Sequence, residues 1–486
     1  MIPPAKSLAA AIAANRFGLG ARPGELDTVE KDPDGWLRRQ LQGAPPVLAD
    51  PALKPSAATL QQALELRQQL AEARREKQQG DDDAAKVATA LKLPALYRPI
   101  YIDEAYARFS QAVSTDRPFL ERLTQFWTNH FAVSIDKMAV LGVAGAMERE
   151  AIRPHVTGHF TDMLLAVEQH PAMILYLDNQ ASVGPNSRAA GFLQRRGNAG
   201  NGRKLDINEN LAREILELHT LGVNGGYTQA DVTTFAKALT GWSIGGDEGG
   251  NRRLARRMGN MGGGGKPGEF FFRAPLHEPG AKQLLGRAYA DDGVKQGEAI
   301  LEDVALRPET ARHLATKLAR HFIADDPPRA AVDRIAKAWV DSRAHLPRVY
   351  QALLESPEAW SEPLAKFKTP ADYIYSSYRA LDLPLRDKRR SLAPFEALGQ
   401  RNLMPSSPAG WPDTSADWDG SSALLKRIAW ADAVAQRMGD TRNSRELAPQ
   451  LLGATLSSDT ATAVARAASG SQALTLLMAS PEFMRR

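Results

Sequence analysis

Residues 208–222 hold three carboxylates, Glu209, Glu214 and Glu217, together with Arg213 and His219, the densest chemistry in the chain. Glu214 and Glu217 stand at i,i+3, a spacing that lets two carboxylates ligate a metal or divide acid and base roles. A di-metal bundle takes Glu-x-x-His at this spacing, whereas the histidine here lies two residues beyond Glu217. At roughly 100° per residue, Asn210, Arg213, Glu214, Glu217 and Leu221 fall on one side of a helix. Leu211, Ala212, Ile215, Leu216 and Leu218 fall on the other, with His219 in their midst. The acidic face and His219 therefore cannot share a site on an undistorted helix. Either two environments exist, or the helix unwinds near Thr220. The plainer alternative for Arg213 and Glu217 is a solvated i,i+4 pair worth about 0.2–0.5 kcal/mol.

A second histidine, His130, closes the run Phe119 to Phe131, where Phe119, Leu123, Phe126, Trp127 and His130 share one helical stripe. A single histidine on such a stripe is more often a hydrogen-bonded core residue than a ligand. Two of them, His130 and His219, are able to bind a metal or hold a polar network if they meet. A third, His277, sits in the turn His277-Glu278-Pro279-Gly280-Ala281-Lys282 after the strand-like Phe270 to Phe272, where a loop presents side chains freely. The alternative is a hydrogen-bonded turn that fixes the strand. Trp411, Asp413, Asp417 and Trp418 pair tryptophans with aspartates, a composition suited to stacking on a sugar ring and equally to packing.

Other chemistries are missing. The run 262–266 ends in Lys266-Pro267 without the hydroxyl residue of a phosphate-binding P-loop. The sequence has no His-Glu-x-x-His helix and no Gly-x-Ser-x-Gly elbow. The chain has no cysteine, which removes disulfides and thiolate chemistry. A formal charge of +5, from 61 basic against 56 acidic residues, is too small over 486 residues to mark a nucleic-acid binder.

The elements that must position these residues read mostly at helical period, with capping-box patterns at Asp206/Glu209 and Thr228/Asp231 and helix stops at Gly222 and Gly241. Helices over 208–221 and 228–240 then form a hairpin joined by Gly225, Gly226 and Tyr227. Two basic glycine-rich stretches, 195–204 and 245–268, the second with Arg252, Arg253, Arg256 and Arg257, read as mobile loops bordering one cleft. The expected fold is mostly α, a large multi-helix bundle-like body with long glycine-rich loops and at most a minor β element. Three regions are expected to pack as one compact unit: 1–110, helical with a charged insert; 111–290, bearing the motifs; and 291–486, helical. No apolar run reaches the ~20 residues that span a bilayer. The stretch 7–14 is too weakly apolar for a signal peptide. The expectation is a soluble protein, cytoplasmic as given or periplasmic if an upstream export signal has been removed.

The run N-E-N-x-A-R-E-x-L-E-L-H-T-L-G, continued by G-G-Y-T-Q, resembles the signature of the bacterial family called domain of unknown function 1800. F-W-x-N-H-F at 126–131 matches the same family, and the His277 turn resembles its H-D-x-G-x-K, with Glu278 in place of the usual aspartate. Residues 15–20 and 476–483 extend the likeness over almost the whole chain. The resemblance implies a largely helical, often exported bacterial protein and supplies no reaction. From the residues themselves the leading expectation is an enzyme, a metal-assisted hydrolase, acting on a polar or anionic small molecule or a polysaccharide. Glu214, Glu217, His277, Arg213 and Lys282 are its candidate catalytic residues, and His130, His219 and His277 its candidate ligands for a divalent metal. The alternative is a non-catalytic module that binds a polymer or a protein partner through the basic loops and the Trp411 region.

Overall fold

Prolines open the helices that begin at Pro118, Pro308 and Pro370, because a first-turn residue has no intrahelical use for its N–H. The structure is a computed structural model and describes residues 6–48, 50–78, 92–195, 206–246, 264–361, 364–385, 387–439 and 441–486. Its principal elements are α1 (Leu93–Ser114), α2 (Pro118–His130), α3 (Phe160–Glu168), α4 (Asn210–Glu214), α5 (Gln229–Ala238), α6 (Pro308–Phe322) and α7 (Pro370–Leu381). The fold is mostly α. Among the described residues no helix is long and apolar enough to cross a membrane.

Among the described residues strands come as two short antiparallel pairs. The first joins β1 (Trp242–Ile244) to β2 (Phe270–Phe272), with Trp242 opposite Phe272. The second joins β3 (Lys282–Leu284) to β4 (Arg287–Tyr289). Leu285 and Gly286, between β3 and β4, both have positive φ, the conformation of a tight two-residue hairpin turn. Leu285 is held there by its N–H, which donates to Asp231 Oδ1 at 2.9 Å.

Thr228 and Asp231 form the reciprocal capping box at the start of α5. Asp206 does not cap α4: its Oδ1 accepts from the Ile207 N–H, and Asn208 Oδ1 instead accepts from the Asn210 N–H. Glu209 is diverted from the box because it reaches sideways to Arg213, Gln229 and Thr233, tying α4 to α5 as a hairpin.

Two apolar clusters organise the body. The larger includes Phe17, Trp127, Phe160, Leu216 and Trp339. The smaller gathers Phe109, Tyr373, Phe395, Leu474 and Phe483. α2 is buried along most of its length, with only Gln125 and Asn129 partly exposed, and Trp127 Nε1–H donates to Tyr350 Oη at 2.6 Å. Beneath it lies a closed charge network. Arg153 is fully buried and donates to Glu121 at 2.6 and 2.8 Å and to Glu148 at 2.7 and 3.0 Å.

Candidate functional site

The signature segment has two faces and a distorted end. Leu211, Ala212, Ile215 and Leu216 are buried, while Arg213 bridges Glu209 at 3.1 Å and Glu217 at 3.4 Å on a half-exposed side. After Glu214 the backbone winds as a π-helix over Ile215–His219 and then breaks at Thr220, with φ −131° and ψ −96°. A π turn and a helix end both leave carbonyls without their usual partners. Histidines supply the missing donors: His313 Nε2–H donates to Leu218 O at 3.2 Å, and His130 Nε2–H donates to His219 O at 3.2 Å.

His219 itself turns inward, where its Nδ1–H donates to the buried Glu168 carboxylate at 2.8 Å. His130 and His219 therefore meet, with ring centroids 6.0 Å apart. They meet as cap and carbonyl, not as two ligands aimed at one point. His130 Nδ1 accepts from Lys317 Nζ at 3.0 Å, so both of its nitrogens are engaged. Burial, reinforced by the Lys317 cation, holds this imidazole well below its ordinary pKa.

His277 lies in another environment. Its Nδ1–H donates to Thr240 O at 3.0 Å and its ring packs edge-on to Phe272. Glu278 accepts two hydrogen bonds from Asn186, at 2.6 and 2.8 Å, and Lys282 Nζ donates to the carbonyls of Glu278 and Gly280 at 2.9 and 2.6 Å. Among the described residues no hydrogen bond, ion pair or ring contact joins His277 to His130 or His219, and no group of three or more His, Asp or Glu is arranged to hold a metal ion. The residues do not fit a shared metal: His130 has both ring nitrogens engaged, by a carbonyl and an ammonium, and although Nε2 of His219 and of His277 is buried without a hydrogen-bond partner among the described residues, the two rings stand in separate environments, one on Glu168 and one on Thr240. Glu214 is half-buried, which raises its carboxyl pKa against the pull of the nearby His219. Of the basic stretches, Arg252, Arg253, Arg256 and Arg257 lie outside the described residues.

The cavity sits elsewhere, where the two apolar clusters meet. It encloses about 470 Å³ between α2, α6, the start of α7 and the loop 400–417. His130, Lys317, Arg320, His321, Trp411 and Asp413 line it. His321 Nδ1–H donates to Asp413 Oδ2 at 2.7 Å, and its Nε2 is buried with no partner among the described residues. Burial, with Arg486 nearby, lowers His321 to about 4 against the opposing pull of Asp413. The ring is therefore neutral near pH 7, with its lone pair on Nε2. Asp413 is depressed well below the carboxylate range: burial opposes its charge, but His321, Lys366 and Arg486 overcome that penalty. A second carboxylate, Asp372, is held between Arg122 and Arg486 at 3.0 Å each.

Two cations of the cavity wall, Lys317 and Arg320, have no carboxylate within ion-pair distance among the described residues. Arg320 donates only to the Asp325 carbonyl, at 3.1 Å, and Lys317 only to His130. Arg108, by contrast, is matched by Glu148 at 2.7 Å. Sequence reasoning missed Lys317, Arg320, His321 and Glu168. The available signal was the recurrence of His313, Lys317 and His321 every fourth residue, a polar ridge along α6. Trp411 and Asp413 were visible as a loop, without the partners that give them a place.

A family model with the description "Protein of unknown function (DUF1800)" matches residues 12–485. No curated protein and no solved structure matches the chain. The F-W-x-N-H-F helix α2, which lines the cavity, and the signature helix, which His130 caps, both lie inside the matched span. The chain thus belongs to the DUF1800 family of proteins of unknown function.

Proposed function

We propose that the chain is an enzyme that binds an anionic small molecule in the cavity and uses His321, oriented by Asp413, as its proton acceptor. The observation that carries this reading is the pair of uncompensated cations, Lys317 and Arg320, on the wall that also presents a neutral imidazole. A carboxylate behind Nδ1 fixes the tautomer and stabilises the imidazolium that forms when Nε2 takes a proton. An anion bound beside the two cations offsets their charge, which eases that protonation. The histidine–carboxylate chemistry expected from the sequence is kept, but on His321 and Asp413 in place of Glu214, Glu217 and His277.

The test is binding followed by turnover. Calorimetry with a panel of carboxylates and phosphates should find a ligand whose affinity falls roughly tenfold or more in Arg320→Ala, the loss of one charge-assisted hydrogen bond. His321→Asn should then remove turnover while leaving that affinity nearly intact. An affinity indifferent to Arg320 sinks the anion reading. Binding with no turnover on any panel member, unchanged in His321→Asn, favours a non-catalytic binding protein.

A further inference from the structure

We propose that Lys317 is an amine nucleophile that forms an imine with the carbonyl group of an oxo acid bound in the cavity, with His130 Nδ1 as the base that serves it. The choice of an acid rests on the anionic-ligand reading above; the imine step does not.

The lysines of this fold sort by what holds them. Lys366 is neutralised by Asp325 at 2.5 Å, Lys137 by Asp178 at 2.6 Å and Lys388 by Asp103 at 2.7 Å. Lys282 is spent on backbone carbonyls. Lys368 has no carboxylate at ion-pair distance among the described residues, but it is sealed in, with Nζ on Ser376 Oγ at 3.1 Å and over the Phe483 ring at 4.5 Å, and does not line the cavity. Lys317 combines the two properties a nucleophile needs: it lines the cavity, and its Nζ meets a neutral base in place of an anion. An ion pair would lock an amine in its protonated form, whereas a cationic neighbour and burial favour the free amine.

The base is set up by the signature segment. His219 O accepts from His130 Nε2–H, which leaves the ring's lone pair on Nδ1, facing Lys317. That carbonyl is available because the helix ends at His219 and the backbone breaks at Thr220. Burial, aided by Arg320 and only partly opposed by Asp413, brings the Lys317 ammonium from 10.5 down to about 8. Near pH 7 the neutral fraction is then on the order of a hundredfold greater than for an ordinary lysine.

The step balances without a co-reactant. The neutral nitrogen adds to the carbonyl carbon, and the C=O π bond breaks to give a carbinolamine. His130 Nδ1 takes the surplus proton from nitrogen and hands it to the alkoxide oxygen, which becomes a hydroxyl. The C–O bond then breaks, the C=N bond forms, and both amine hydrogens leave on the departing water. Nothing is oxidised or reduced.

Borohydride trapping tests this on the intact full chain. Incubation with 4-formylbenzoate, reduction, and peptide mapping should place the adduct on Lys317 roughly tenfold or more above the mean of the exposed lysines. Lys317→Arg should lose that adduct and keep the background. Labelling spread over the surface lysines with no excess at Lys317 in the unmutated protein overturns the proposal, with no variant needed. Benzaldehyde separates the two readings. Equal trapping of this uncharged aldehyde at Lys317 upholds the imine step and overturns the anionic-ligand reading, whereas preference for the carboxylate supports both.

Discussion

Asn129 grips the backbone of Trp411 twice: its Oδ1 accepts from the Trp411 N–H at 2.8 Å and its Nδ2 donates to the Trp411 carbonyl at 2.9 Å. A primary amide offers both an acceptor and a donor at that spacing, which an ionised carboxylate does not. Two residues further on, Asp413 reaches His321, so the asparagine of the F-W-x-N-H-F run sets the loop that orients the cavity's imidazole. Asn129→Asp replaces the donor with a second acceptor facing a carbonyl. It should cost about 1–3 kcal/mol in denaturant unfolding and weaken anion binding alongside. Unchanged stability in this variant would mean that the clamp contributes nothing.

The Arg153 network is a sharper stability test. Its guanidinium is enclosed by Glu121 and Glu148, and all three side chains are buried. Arg153→Leu strands the Glu121 carboxylate away from water and leaves Glu148 with Arg108 as its one cation, and breaking such a buried pair costs about 3–5 kcal/mol. Because Glu148 also pairs with Arg108 on the cavity wall, the loss should carry over into the site. Equilibrium unfolding of this variant should show a midpoint far below that of the Asn129 variant. A smaller shift than Asn129→Asp would refute the closed-network description.

Acid should loosen the junction between the cavity and the C-terminal cluster. Burial opposes the charge of Asp372, but Arg122 and Arg486 win, lowering its carboxyl to about 2. A depressed carboxylate contributes stability that is present above its unfolded pKa near 4 and lost as pH falls through the folded value. The contribution is about 2 kcal/mol, and it should disappear between about pH 4 and pH 2. Asp413 is depressed in the same direction and further, so its contribution extends the loss to the acid side of that window. Urea midpoints measured across that range should fall less steeply in Asp372→Asn, which is already weakened at neutral pH because buried Arg122 loses its carboxylate and Arg486 is left with Asp413.

Much of the architecture is legible in the sequence because it follows from periodicity. The stripe places His219 on the buried side of the segment and Arg213, Glu214 and Glu217 on the part-exposed side, and of the two alternatives the sequence leaves open, an unwinding near Thr220 is where the backbone breaks. The Thr228/Asp231 box and the positive φ at Gly222 and Gly241 follow from local rules that need no tertiary partner. What periodicity cannot reveal is the use of a histidine as a cap for a distant carbonyl. His130 and His313 come from helices remote in sequence from the turn they complete. The cavity is hidden for the same reason: His321 and Asp413 are 92 positions apart, and each alone reads as an ordinary surface or loop residue.

Gly222 allows the capping arrangement to be measured. It ends the signature segment at φ +85°, and an added Cβ would lie 2.7 Å from His313 Nδ1, on the ring whose other nitrogen donates to Leu218 O. Gly226, four residues on, has nearly the same φ of +79° with nothing within 4 Å of an added Cβ. Gly226→Ala therefore reports the cost of the left-handed conformation alone, about 1–2 kcal/mol. Gly222→Ala must pay that cost and also displace the His313 ring, so it should lose at least about 1 kcal/mol more, the value of a broken buried hydrogen bond. The difference between the two variants in denaturant unfolding isolates the histidine cap from backbone strain. Because Leu218 O and His219 O are adjacent, the displacement should also disturb His130 and reduce borohydride trapping at Lys317 in Gly222→Ala but not in Gly226→Ala. Equal stabilities and equal trapping in the two variants would show that the cap has no grip on the lysine.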